Sequence, residues 1–231
     1  MNQIATGIGW YLTFLFSIVA HEAAHAFVAW RLGDPTAKHG GQVTLNPVPH
    51  IRREPIGTVA VPIISYLAVG WMIGWASAPY DPEWARRNPY RAAAMSFSGP
   101  AANLVLALLA AGIIHLGMAA GFFEPPQTLT FDHIVEAMPH GALDALGLVV
   151  SILFSLNLLL FFFNLMPIPP LDGAGIYMLF GGPLGDRIHA VLRNPFFSYG
   201  GILLAWWLIR LLFPGFHDFS ITLLYPGITY Q

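Results

Sequence analysis

The chain has 231 residues, of which 56% are hydrophobic and only 10% are charged, and its formal net charge is −2. A soluble domain carries about 25% charged residues, so this composition excludes an ordinary soluble protein and indicates an integral membrane protein. The small net charge argues against a nucleic-acid partner. Cysteine is absent, which excludes disulfide bonds and thiol chemistry.

Apolar stretches along the chain predict an α-helical polytopic membrane protein with about four to six membrane-embedded helical segments. We expect them to form a single domain over residues 1–231, because no linker or low-complexity tract divides the chain. Each long stretch approaches or exceeds the ~20 residues that a helix needs to cross ~30 Å of hydrocarbon. The three predicted core spans and one additional span cover about 4–32, 92–123, 142–167 and 196–213.

The apolar segment at about 59–78 decides the predicted topology. Pro62, Gly70 and Gly74 interrupt it, which favours a re-entrant or hairpin segment. Nine of the ten basic residues then lie on one side of the membrane, with Arg210 as the exception, and the positive-inside rule makes that side cytosolic. A full crossing stays open as the less favoured alternative, because it would place several arginines outside.

Residues 36–58 follow the first predicted span and include the sequence GQVTLNP, in which apolar and polar residues alternate. We expect a small β-hairpin or strand segment here, at the membrane surface. An extended peptide could add to the segment 41–48 as a further strand.

The first span contains the motif His21-Glu22-Ala23-Ala24-His25. Residues i and i+4 share one face of a helix, so both imidazoles can bind one metal ion. Glu22 is rotated by about 100° and can act as general base towards a water molecule, then as proton donor to a leaving amine. An ionised group at this depth costs ~2.5–3.5 kcal/mol on insertion scales, so three ionisable residues together predict a functional site.

A catalytic zinc site needs a third protein ligand, and Asp172 in NLMPIPPLDG is the candidate. The prolines before it cannot continue a helix, so we expect Asp172 on unwound chain near the end of the span at 142–167. If the segment at 59–78 turns back, this span runs in the same direction as the first span, and the two motifs meet at one depth. Taken alone, Asp172 could also be a loop carboxylate or a helix N-cap.

The two motifs in this order resemble the site-2 protease family of intramembrane zinc metalloproteases. FSGPAANL, residues 97–104, is similar to the G-P-x-x-N element of that family's middle span. The resemblance implies a short form without an inserted PDZ domain or terminal CBS domains. The sequence HIRREP, where short members often read H-I-D-P, departs from the family pattern.

The resemblance also implies the roles of individual residues. His21, His25 and Asp172 would bind one Zn²⁺ per chain, and Glu22 would be the catalytic base. Asn164 would contact substrate or the developing oxyanion. For Asn103 and Asn157 we expect hydrogen bonds between helices rather than catalysis.

The implied function is hydrolysis of a peptide bond within or near a transmembrane segment of a membrane-protein substrate. The expected location is a prokaryotic cell membrane, with a multi-pass chain and the active site towards the cytosol. The expected partners are the substrate and the lipid bilayer. The alternative is a zinc-binding membrane protein without protease activity, either a transporter or an inactive relative.

Overall fold

The computed structural model describes residues 3–138, 141–176, 195–228 and 230, and most of these residues are helical. The helices and strands, in chain order, are α1 (Gln3–Arg31), α2 (Thr36–His39), α3 (Pro47–Arg53), α4 (Val61–Val69), α5 (Pro82–Arg87), α6 (Pro89–Ala119), β1 (Phe123–Glu124), β2 (Glu136–Ala137), α7 (Ala142–Asn164), α8 (Asp172–Ile176) and α9 (Pro195–Leu224).

Four of these helices, α1, α6, α7 and α9, are long and apolar enough to cross a membrane. A shorter apolar helical stretch, Ile56–Val69, lies between the first two of them. The predicted class, an α-helical polytopic membrane protein, is therefore confirmed. The last helix continues past residue 213, where the predicted additional span ended, and accommodates Pro214 in its interior.

The chain reverses direction between α1 and α6. A π-helical turn, Ile56–Ala60, leads into α4, which ends at Gly70 with a φ of +82° that glycine adopts without strain. The Trp75 backbone N–H donates to the Gly57 carbonyl at 3.1 Å, so the extended chain after α4 runs back along the helix. A Cβ on Gly57 would lie 2.7 Å from the Trp75 ring, so the two arms of this hairpin need glycine where they meet.

The prediction of strands within residues 36–58 is wrong. This segment forms α2 and α3, with bends between them and no strand. The Asn46 side chain caps α3 by accepting a hydrogen bond from the Val48 N–H at 3.0 Å, and Pro47 occupies the first turn of the helix. The cap outweighs the alternating pattern. The small antiparallel sheet lies later in the chain, where β1 pairs with β2 and Phe123 lies opposite Ala137.

Helices α1, α6 and α7 pack against one another and form the core that holds the site. The buried face of α1 carries a polar residue at every fourth position, at Thr13, Ser17, His21 and His25. Ala107 and Ala110 are fully buried on α6, and small side chains of this kind let helices approach closely inside a membrane. The stripe on α1 therefore faces protein and is shielded from lipid.

Candidate metal centre and active site

Three of the predicted site residues converge on one point between α1 and the beginning of α8. His21 Nε2 lies 3.0 Å from Asp172 Oδ2, and His25 Nε2 lies 3.3 Å from Asp172 Oδ1. The two Nε2 atoms are 3.0 Å apart. Both histidines are buried, and Asp172 is partly buried. The structure thus brings together side chains from the first motif and from the second.

The local sequence places each of these side chains. Helix α1 holds His21 and His25 one turn apart on the same face. Helix α7 ends at Asn164, and the prolines that follow prevent its continuation, so the chain turns before α8 begins at Asp172. A Cβ on Gly173 would lie 2.5 Å from the Leu165 carbonyl oxygen, closer than real Cβ atoms come. Glycine at this position therefore allows the tight turn that carries Asp172.

Helix α6 closes the site on a third side through Gly99. A Cβ on this residue would lie 2.6 Å from His21 Nε2 and closer still to His25 Nε2. The missing side chain therefore leaves the space in front of both imidazole nitrogens open. Glycine inside a helix costs about 1 kcal/mol of stability relative to alanine. A glycine within a predicted helix is therefore a sign in the sequence that packing or function requires it there.

The far nitrogen of each imidazole has its own hydrogen-bond partner on α6. His25 Nδ1 lies 2.7 Å from the Met95 carbonyl oxygen, which can only accept, so this nitrogen carries the proton. His21 Nδ1 lies 2.6 Å from Asn103 Oδ1. When both imidazoles are neutral, as metal ligands must be, their Nε2 atoms carry lone pairs that point towards each other and towards Asp172. Sequence reasoning expected only a helix contact from Asn103 and did not identify Met95.

The donor set fits a metal ion. Two lone pairs and a carboxylate at about 3 Å repel one another unless a proton or a metal cation lies between them. Asp172 Oδ2 is buried, and despite its closeness to His21 it makes no hydrogen bond. Two imidazoles and one carboxylate, with a fourth position left for water or substrate, are the protein ligands of catalytic zinc in several hydrolases. The residues present therefore suit Zn²⁺.

Glu22 and Asn164 differ in how closely they belong to this centre. Glu22 is 8% exposed and lies beside the converging donors without being one of them, as suits a base that does not bind the ion. Asn164 is the last residue of α7, and its amide nitrogen donates to the Leu160 carbonyl at 3.1 Å within the same helix. That bond uses one of the two amide protons and leaves the other available for a ligand.

Comparison with known proteins gives the family. The model of peptidase family M50 matches residues 10–206. YwhC of Bacillus subtilis (strain 168), named as a proposed zinc metalloprotease, is 34% identical over 163 residues, which are 70% of this chain and 64% of YwhC. Rip2 of Mycolicibacterium smegmatis, named in the same way, is 31% identical over 218 residues, which are 92% of this chain and 72% of Rip2.

Rip2 of Mycobacterium tuberculosis (strain ATCC 25618 / H37Rv) is 33% identical over 167 residues, which are 71% of this chain and 52% of that protein. The chain thus spans between about half and three quarters of the length of these relatives. No solved structure matches the chain at a significant level. Because the family model covers most of the chain and includes both motifs, the chain belongs to peptidase family M50, the site-2 protease family that its motifs resemble.

Proposed function

We propose that this chain is an intramembrane zinc endopeptidase that hydrolyses a peptide bond within or near a transmembrane segment of a membrane-protein substrate. One observation carries the proposal: an H-E-x-x-H motif lies inside a helix that is long and apolar enough to span a bilayer, and its two imidazoles converge with Asp172. Membership of a peptidase family and the names of the relatives support the same chemistry.

In this proposal His21, His25 and Asp172 hold one Zn²⁺ per chain. When bound, the ion polarises the scissile carbonyl and lowers the pKa of a water molecule. Glu22 accepts a proton from that water, the water oxygen bonds to the carbonyl carbon, and Glu22 then gives the proton to the leaving amine nitrogen as the C–N bond breaks. The remaining amide proton of Asn164 is available to stabilise negative charge on the carbonyl oxygen.

The packing of the helices supports the proposed orientation. His21 and His25 lie in the second half of α1, and Asp172 follows the end of α7, so their contact requires α1 and α7 to run in the same direction. The hairpin closed by Trp75 and Gly57 agrees with a re-entrant segment at about 59–78. With that topology the positive-inside rule directs the active site to the cytosolic side of a prokaryotic cell membrane.

The alternative is a zinc-binding membrane protein without protease activity, and no observation favours it. A transporter should carry coordinating groups along a path through the membrane. Within the described ranges, His21, His25 and Asp172 are the one group of His, Asp and Glu side chains that could hold a metal. Glu22 is also present, and binding the metal alone would not require it.

The test is to measure zinc content and cleavage of a model transmembrane substrate for purified wild type and Glu22→Gln. We expect one zinc per chain in both proteins. Cleavage should fall by at least about 10²–10⁴-fold in the variant, because glutamine keeps the size of the side chain but cannot accept the proton. Glu83→Gln, at an exposed position on α5, is the matched control and should cleave normally.

Near wild-type cleavage by Glu22→Gln would refute the proposed mechanism. Absence of zinc from both proteins would refute the proposed metal centre. Zinc binding without cleavage by the wild type would favour the alternative of a zinc-binding protein that is not a protease.

A further inference from the structure

A chain of hydrogen bonds runs from His21 into the core and connects three helices. Its members are Ser17 on α1, Asn103 on α6 and Asn157 on α7, and all three have no exposed surface. None of them is among the converging donors of the metal centre. We call these three residues and His21 the relay.

The end of the relay far from His21 is fixed by backbone carbonyls, which accept hydrogen bonds and cannot donate them. The Ser17 hydroxyl donates to the Thr13 carbonyl at 2.8 Å. The Ser17 oxygen therefore accepts from Asn157 Nδ2, which lies 2.9 Å away. The same nitrogen donates to the Leu153 carbonyl at 2.8 Å, so both amide protons of Asn157 are used.

This arrangement fixes the orientation of the second amide. Asn157 must present its oxygen to Asn103 Nδ2, at 2.8 Å. The other proton of Asn103 Nδ2 points to the Ser17 carbonyl at 3.4 Å. Asn103 therefore presents its oxygen to His21 Nδ1, at 2.6 Å.

Every donor in the relay points away from His21, and the hydrogen bonds end on the backbone carbonyls of Thr13, Ser17 and Leu153. A neutral His21 must then carry its proton on Nδ1, and its Nε2 keeps the lone pair that a metal ion needs. We propose that Asn103 and Asn157 are positioning residues that select this tautomer of His21 and hold its ring for the metal. The inference rests on the proposed zinc site and adds to it residues that do not touch the ion.

The low dielectric of the core strengthens each hydrogen bond of the relay, and hydrogen bonds in a chain also polarise one another. Removing a partner of a metal-binding histidine typically costs about 10–100-fold in metal affinity. Other buried hydroxyls on α7 serve different ends: Ser151 accepts from the Ile134 N–H at 2.9 Å, and Ser155 lies 3.1 Å from His217 Nε2. Ser155 is as buried as Asn157, and its hydrogen bond is to His217 rather than to a member of the relay, so it provides a matched control.

The test measures the dissociation constant of zinc by competition with a chelator, and the visible absorption spectrum of the cobalt-substituted protein. Asn103→Leu should weaken zinc binding about 10–100-fold and change the cobalt spectrum. Asn157→Leu removes one of the two acceptors that orient the Asn103 amide and leaves the Ser17 carbonyl in place, so it should cause a smaller loss. Ser155→Ala should bind zinc as the wild type does.

A conservative variant separates positioning from packing. Asn103→Asp keeps an oxygen acceptor opposite His21 Nδ1 and should retain more zinc affinity than Asn103→Leu. If Asn103→Leu does not fold, Ser17→Ala carries the test, because it removes one of the two acceptors that orient Asn157 and should weaken zinc binding relative to Ser155→Ala.

Wild-type zinc affinity and an unchanged cobalt spectrum in Asn103→Leu would overturn the inference. An Asn157→Leu variant that matches Ser155→Ala in zinc affinity would overturn the part assigned to Asn157. In both cases the wild type would still bind zinc, so the proposed function would stand. A wild type that binds no zinc would refute the proposed function instead.

Discussion

The substitution Gly99→Ala tests whether the space between α6 and the two histidines is the place of the metal ion. The new methyl carbon would lie 2.6 Å from both His21 Nε2 and His25 Cε1, whereas real Cβ atoms stay at least 3.0 Å from their neighbours. Either the imidazoles or α6 must therefore move by several tenths of an ångström. Zinc–nitrogen bonds are about 2.0–2.1 Å long, so this methyl competes directly for the volume of the ion.

The expected magnitude follows from the cost of overpacking. Inserting a methyl group into a packed site costs about 1–3 kcal/mol. At about 1.4 kcal/mol for each factor of ten, zinc affinity should fall about 5–150-fold. The free energy of unfolding should fall less than the free energy of zinc binding, because alanine is about 1 kcal/mol more favourable than glycine inside a helix and offsets part of the strain.

The assay is the zinc dissociation constant of the purified protein together with its thermal unfolding without metal. Gly112→Ala is the matched control, because Gly112 lies on the same helix and a Cβ there meets nothing within 4 Å. We expect this control to keep wild-type zinc affinity. Equal zinc affinity of Gly99→Ala and Gly112→Ala would refute the assignment of the ion to this space.

Two further predictions concern the segment that leads to Asp172 and the stability of the loop after α1. Gly201→Ala should reduce zinc affinity, because a Cβ there would lie 2.9 Å from Ile168 Cγ2 and closer still to the Pro169 carbonyl oxygen, on the segment that leads to Asp172. Gly200→Ala is the control, since a Cβ there meets nothing within 4 Å, and it should bind zinc as the wild type does. Equal zinc affinities of the two variants would show that Gly201 does not help to position Asp172. Burial alone would raise the pKa of Asp34, but hydrogen bonds from the Thr36 hydroxyl and from the backbone N–H groups of Asp81 and Thr36 hold this pKa below its ordinary value. The resulting stabilisation is present above the unfolded pKa of about 3.9 and is lost as the pH falls through the folded pKa, so Asp34→Asn should lower the unfolding temperature of the metal-free protein at pH 6 and have a smaller effect below about pH 4. A difference in unfolding temperature between Asp34→Asn and the wild type that stays constant over this pH range would show that the hydrogen bonds do not lower the pKa of Asp34.

The three side chains of the candidate metal centre could be identified from the sequence because their chemistry conflicts with their surroundings. Ionisable residues in an apolar stretch need a function, and the spacing of His21 and His25 fits one face of a helix. Asp172 followed from the need for a third ligand and from the topology. The structure places the candidate ligand atoms of these three side chains within 4.8 Å of one another.

The partners of the imidazoles were harder to predict because they depend on tertiary packing. Neither the Met95 carbonyl nor the orientation of the Asn103 amide leaves a pattern in the sequence. One signal was present: Thr13, Ser17, His21 and His25 form a polar stripe with a spacing of four residues. That stripe predicts a protein-facing side of α1 and a polar partner on a neighbouring helix.

The error in residues 36–58 has a local cause. Alternation in GQVTLNP favours strands, but the cap at Asn46 and the proline after it begin a helix. The alternation covers few residues, and short patterns of this kind are easily outweighed by capping.

We infer that the H-E-x-x-H helix and the L-D-G turn, both inside the match to the family, build one zinc site. The most direct measurement is zinc per chain in purified wild type and Asp172→Asn after dialysis against a weak chelator, with Asp218→Asn, exposed on α9, as the control. We expect about one zinc per chain in the wild type and in the control, and a large loss in Asp172→Asn, because an amide is a much weaker ligand than a carboxylate. An Asp172→Asn variant that keeps its zinc with wild-type affinity would show that Asp172 is not a ligand.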